Sequence, residues 1–210
     1  MKNQILKLSF TICFVAGLSM ISFGQSSDKT WSIGPEVGVN FAKFGKDGDQ
    51  TVFNTGLILG GFLTYSIRNT HAFTTKILFS QKGAKDDASN SQVHLNYVEV
   101  PVLFRMFFNR DGGIRPNLFI GPSFGFLTGV KGKLGSGDYE SIPNYKDSYN
   151  NFDVGASIGL GLNIRVAGEM YFIVDTRYTY GLSDIAKSTA NVNNQAFACS
   201  AGLSFGLSSN

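Results

Sequence analysis

The stretch Phe152-Asp153-Val154-Gly155-Ala156-Ser157-Ile158-Gly159-Leu160-Gly161-Leu162-Asn163-Ile164-Arg165 decides the fold. Every even position is apolar, and every odd position is Asp, Gly, Ser, Asn or Arg. An unbroken period of two over this length predicts a β-strand with two faces in different surroundings; a helix would repeat every 3.6 residues. The last segment repeats the pattern, with Phe197, Cys199, Ala201, Leu203, Phe205 and Leu207 on one face and Ala198, Ser200, Gly202, Ser204, Gly206 and Ser208 on the other.

Working outward, six further segments alternate in the same way. They run over residues 31–41, 55–66, 72–82, 95–108, 115–127 and 170–180, which makes eight in all, with no convincing amphipathic helix among them. The segments at 55–66, 72–82 and 115–127 alternate less cleanly. The connections carry an independent signal. Long polar links at 42–54, 83–92, 128–150 and 181–193 alternate with short turns at 68–70, 109–113 and 166–168. An even number of strands, joined by turns that are short at one end and long at the other, predicts an all-β, eight-stranded antiparallel up-and-down transmembrane barrel. Its short turns would face the periplasm and its long loops the exterior.

Composition agrees. Charged residues make up 16% of the 210, against about 25% in an average soluble domain. Mean hydropathy is only +0.03, far too low for a bundle of membrane helices. With 28 aromatics, 19 of them Phe, the chain is also unlike a disordered one. The N-terminus reads as a secretory signal peptide over residues 1–24. It has Lys2 and Lys7, an apolar run from Leu8 to Ile21, and small residues Ser22 and Gly24 before the expected cut. This leaves residues 25–210 as the barrel domain. Lys2 and Lys7 supply two of the three net positive charges of the whole chain, so the barrel domain is nearly neutral and offers no electrostatic case for nucleic acid. Cys13 leaves with the signal, and Cys199 has no partner for an intramolecular disulfide.

A soluble barrel would also alternate, but with the apolar face inside. Here the polar face is mostly Gly, Ser and Asn, which suits a crowded lumen, since eight strands leave an interior just wide enough for side chains. The other face is Leu, Ile, Val and Phe, with aromatics near segment ends at Trp31, Tyr65, Phe73, Phe107, Phe108, Phe126, Phe152, Tyr178 and Phe197. These are expected to form interfacial girdles.

Four local motifs then carry a family resemblance. Tyr97-Val98-Glu99-Val100-Pro101-Val102-Leu103-Phe104-Arg105 resembles the Tyr-aliphatic-Glu-aliphatic-Pro signature of the Bacteroidota-type, PorT-like outer-membrane β-barrel family. Ser80 to Lys85 resembles its third strand, Gly121-Pro122-Ser123 its fifth and Arg177 to Leu182 its seventh. The resemblance spans essentially all of residues 25–210 and implies an OmpA-like barrel in the outer membrane of a Gram-negative cell. A generic signature of this kind does not carry over a role in type IX protein secretion.

The candidate site residues follow from facing. Lys76, Glu99, Arg105, Asp153, Asp175 and Arg177 are expected to share the inward face, with Glu36 joining them. Charges in a dry lumen need partners, because an unpaired buried ion costs several kcal/mol. A structural ion-pair network that plugs the barrel is therefore the expectation; a selectivity constriction in a narrow porin-like channel is the alternative. A protein-secretion component and a lipid-modifying barrel enzyme are further alternatives. Ser91 and His94 near the rim have no fixed acid to complete a nucleophilic constellation. Two His and one Cys in residues 25–210 give no zinc spacing, and no catalytic residue or cofactor is expected. Tyr139, Tyr145 and Tyr149 in the longest loop are expected to be exposed, either as part of a solvated, variable loop or for contact with a partner or glycan. The expected partners are outer-membrane lipid, the barrel-assembly machinery during insertion and an unidentified extracellular ligand, with the barrel itself a monomer. Pro35, Pro101 and Pro122 fall inside strands of a barrel that has no edge, so local bulges or lost ladder bonds are expected at Pro101 and Pro122.

Overall fold

The computed structural model describes residues 30–47, 51–86, 90–109, 112–135, 137–187 and 191–207. The signal peptide expected over residues 1–24 lies outside them. The strands are β1 (Thr30–Lys46), β2 (Val52–Arg68), β3 (His71–Asp86), β4 (Ser91–Phe107), β5 (Ile114–Leu134), the two-residue β6 (Glu140–Ser141), β7 (Phe152–Ala167), β8 (Met170–Gly181) and β9 (Val192–Leu207). Each long strand pairs antiparallel with its neighbours in sequence, and β9 returns to β1, from Trp31↔Leu207 to Lys46↔Val192. The ring of eight is thereby closed, and β6 pairs with β5 on the edge away from β4, beyond the start of β7. Closure leaves no edge of unpaired backbone groups, which any sheet in lipid must avoid.

Burial runs inside out relative to a soluble barrel. Along β1, Glu36 is 6% exposed and Asn40 1%, whereas Val37 between them is 52% exposed. The same parity holds on β4, where Glu99 and Arg105 are buried and Val98 faces out. Polar inside and apolar outside is the arrangement a lipid surround stabilises. No helix among the described residues is long and apolar enough to cross a membrane.

Most of the girdle aromatics face outward as expected, and Trp31 packs on Tyr65 with ring centroids 4.6 Å apart. Phe107 is the exception. It shares the inward parity of Arg105 and is buried in the lumen, while its neighbour Phe108 faces out. Two consecutive aromatics cannot both face lipid on a pleated strand.

The strands are longer than their apolar faces. β1 extends to Lys46 and β2 begins at Val52, so the first long link shrinks to residues 47–51; the second shrinks to residues 87–90. Above the apolar band the outer face no longer meets lipid. Period two then fades from the sequence although the hydrogen-bonded ladder continues. A strand of 17 residues is about 58 Å long, and the usual tilt leaves it standing well above an apolar band of about 25 Å.

The prolines interrupt the ladder without shifting its register. Between β1 and β9 the pairing skips from Ile33↔Phe205 to Glu36↔Gly202, around Pro35. Between β3 and β4 it skips Pro101, and between β4 and β5 it skips Pro122. On their other sides all three remain paired, as Pro35↔Gly61, Pro101↔Ser123 and Pro122↔Ala156. In an antiparallel strand the N–H and C=O of one residue point to the same neighbour, so a proline costs bonds on one side only. The expected loss of ladder bonds is present, and no bulge accompanies it. The register shift between β4 and β5 lies instead at Asn96 and Tyr97.

Candidate functional site

Eight charged side chains are buried among the described residues, four of each sign: Lys76, Lys82, Arg105 and Arg177 against Glu36, Glu99, Asp153 and Asp175. The lumen filling is thus formally neutral, and it is divided into two layers.

The lower layer is built on Asp175 of β8. Arg105 of β4 meets it with both guanidinium arms, Nη1 to Oδ1 at 3.1 Å and Nη2 to Oδ2 at 2.5 Å. Lys76 of β3 donates to the same Oδ2 at 2.9 Å and to Glu36 of β1 at 2.8 Å. Two of the other three arginine donors are taken as well. Nε reaches Thr74 at 3.1 Å, Nη1 also reaches Asn117 at 2.8 Å, and the guanidinium sits 4.5 Å from the Phe119 ring centroid. Five strands of the ring are tied together here. Bidentate charged pairs whose remaining donors are mostly satisfied are the form in which buried ions become tolerable.

The upper layer is looser. Glu99, fully buried, accepts from Ser123 at 2.6 Å and faces Arg177 at 3.2 Å and Lys82 at 3.5 Å through Oε1. Its Oε2 has no hydrogen-bond partner among the described residues. Lys82 stands over the Tyr97 ring at 5.4 Å. Among the described residues Asp153 joins no ion pair. It accepts from Ser183 at 2.7 Å and from Asn194 at 2.8 Å. The structure therefore brings together Lys76, Arg105 and Asp175 with Glu36, and separately Glu99 with Arg177. It adds Lys82, which the sequence reading missed. The signal was present in parity: Lys82 lies six residues after Lys76 and so faces the same way, but the strand pattern was fading there.

A lid closes the long-loop end above these layers. Ile185, 1% exposed, packs with Leu95, Tyr97, Leu127 and Val130, and Tyr145 and Tyr149 pack against that cluster. The two longest loops are stitched together by the bridge Tyr149↔Ala186, by Lys187 N–H to Ser148 O at 2.9 Å and by Asn150 Nδ2 to Asp184 O at 2.8 Å. Burial pushes the Tyr149 hydroxyl above its ordinary pKa. Tyr145 and Tyr149 are thus half-buried in the lid, not out in solvent, because their rings cover apolar side chains at the barrel mouth. Tyr139 lies outside the barrel wall. It stacks on His94 with centroids 4.4 Å apart and donates to Gln92 at 2.5 Å. Ser91 and His94 have opposite parity on β4, so their side chains leave opposite faces of the strand. Among the described residues no group of His, Cys, Asp or Glu could hold a metal ion.

Comparison with known proteins agrees with this geometry. The solved structure of Neisserial surface protein A shares 13% identity and has a TM-score of 0.50, covering 83% of this chain and 95% of that one. The N-terminal β-barrel domain of Pseudomonas aeruginosa OprF aligns at 15% identity and TM-score 0.46, covering 86% of this chain and 100% of that one. Ail, the attachment invasion locus protein of Yersinia pestis, aligns at 17% identity and TM-score 0.45, covering 85% and 99%. No curated protein matches the chain in sequence. The family described as outer membrane protein beta-barrel domain matches residues 23–187, most of the chain. With its closed ring, apolar wall and charged interior, the chain belongs to the outer-membrane β-barrel family.

Proposed function

We propose that this protein is a non-conducting outer-membrane barrel that acts through its outward loops. Its lumen filling serves to hold the ring together, and residues 1–24 are removed as the signal peptide during export to a Gram-negative outer membrane. In this reading it is of the PorT-like kind, acts as a monomer and performs no catalysis. Outer-membrane lipid surrounds residues 25–210, the barrel-assembly machinery is a transient partner, and the lasting partner is an extracellular ligand met by the loop surface around Tyr139. The lid is the observation that carries the reading. Ile185, Tyr145 and Tyr149 fill the mouth above two layers of mutually neutralised charge, so an ion would have to displace both an apolar plug and paired side chains.

Planar-bilayer recording of the purified barrel tests this. A flat baseline in molar KCl is expected, with insertion verified by the heat-dependent gel mobility of the same sample. Stable unitary conductance steps would instead establish a narrow channel, in which the layer of Glu99, Lys82 and Arg177 is the constriction.

A further inference from the structure

Below the Arg105–Asp175 layer the lumen is not filled. A cavity of about 260 Å³ lies there, and its wall includes Asn69 and Glu169 from the short turns, so it opens at the short-turn end. The lid and the two charge layers close it from the other side. In a barrel with periplasmic short turns, this is a dead-end vestibule facing the periplasm.

Most of the charged groups around it are spent on partners; among the described residues Arg115 and, at the mouth, the Glu169 carboxylate are not ion-paired. At the floor, Lys76 and Arg105 are bound to Asp175, and Lys76 also to Glu36. At the mouth, Arg165 donates to the Tyr171 hydroxyl at 2.7 Å beside Glu169. Arg115 differs. It lines the cavity, its guanidinium lies 4.3 Å from the Phe107 ring centroid, and it donates to the carbonyl of Asn69. Among the described residues no carboxylate pairs with it, and its Nε has no hydrogen-bond partner. A guanidinium set over an aromatic ring and anchored to a backbone carbonyl has its motion confined, and its remaining donors form the planar fork that suits a carboxylate or phosphate. The inward Phe107 is what provides that ring.

We propose that the vestibule binds a small oxyanion, a carboxylate or a phosphate, on Arg115. The ligand must fit the cavity and reach it from the periplasm, so it is a small periplasmic solute or the anionic end of a longer one. Conduction is a separate matter, since a blocked lumen and an occupied vestibule do not depend on each other.

The test is side-chain arginine NMR on the full barrel refolded in detergent. The Nε–H resonance of Arg115 is identified by its loss in Arg115→Gln. Inorganic phosphate and acetate are titrated separately, with chloride at matched ionic strength as the control. The Arg115 resonance is expected to shift saturably with at least one oxyanion and not with chloride. Phosphate alone, acetate alone or both would identify which chemistry the vestibule takes. Lumen signals that respond to the oxyanion in the native barrel should lose that response in Arg115→Gln. Arg115→Lys keeps the charge without the planar fork, and is expected to bind about tenfold or more weakly. Heat-dependent gel mobility confirms that each variant is folded. Absence of a saturable shift with both oxyanions, an equal shift with chloride, or an undiminished response in a folded variant would overturn the proposal.

Discussion

Arg105 and Asp175 stand 70 residues apart in the chain and on opposite parts of the ring, yet they meet as a two-armed pair, at 2.5 Å and 3.1 Å, deep in the lumen. Each also has a second charged or polar partner, so neither can be removed without leaving something buried and unpaired. Asp175→Asn should therefore lower stability by about 3–5 kcal/mol, because Arg105 and Lys76 both lose their shared anion. Removing both sides, as Arg105→Met with Asp175→Leu, leaves Lys76 with Glu36 and should recover most of that loss. Urea unfolding in lipid vesicles would measure the cycle. Losses that simply add would show that the two residues do not act as a pair.

Two glycines stand immediately before prolines and at close backbone approaches. Gly34 precedes Pro35 and Gly121 precedes Pro122, at the places where the ladder is interrupted. A Cβ at Gly34 would collide with the carbonyl oxygen of Leu203, and one at Gly121 with that of Val102, so the backbones approach too closely for any side chain. Gly34→Ala and Gly121→Ala should each sharply reduce the yield of heat-modifiable barrel. At Gly113 an added Cβ meets nothing within 4 Å, and Gly113→Ala should fold normally. Equal yields for all three variants would refute the close-approach account.

His94 makes the outer wall sensitive to pH. It lies above the apolar band, since the last outward apolar residue of β4 before it is Val98 and the one between is Asn96. Burial, and then the nearby Lys131, hold its pKa below 6.5. The docked state therefore favours the neutral ring, and the undocked state takes up protons more readily. The Tyr139–His94 stack should be fully present above pH 6.5 and weaken as pH falls below it. An NMR titration of the two histidines would show His94 titrating below 6.5, with the Tyr139 ring signals moving in step. Tyr139 signals that stay fixed while His94 titrates would break the link.

Sequence alone reveals the ring wherever the wall meets lipid. Phe152–Ala167 is legible because lipid and lumen demand opposite chemistry on alternate residues. Just above, at Lys43 to Lys46 or Gly83 to Asp86, lipid no longer dictates the outer face and the period disappears, so strand reads as loop. The inward face of Glu99, Arg105, Asp175 and Arg177 was legible for the same reason. The pairing was not, because strand parity fixes which face a charge takes but not its height or reach across the lumen. Tyr145 and Tyr149 were misjudged as exposed because a loop's polarity says nothing about which of its rings folds back over an apolar mouth.

Orientation in the membrane is the remaining relationship that decides how the lid and the vestibule are read. Lys146, in the lid loop, and Glu169, in the turn between β7 and β8, are both exposed and lie at opposite ends of the barrel. Residues 25–210 contain one cysteine, Cys199, whose outward position among lipid-facing neighbours makes it replaceable by serine. In a Cys199→Ser background, Lys146→Cys should react with a membrane-impermeant maleimide on intact cells. Glu169→Cys should react only after the outer membrane is permeabilised. Short turns in the periplasm require this order, since assembly translocates the long loops and leaves the hairpin turns behind. The reverse labelling would place the lid in the periplasm and open the Arg115 vestibule to the exterior, and the oxyanion it meets would then be an environmental one.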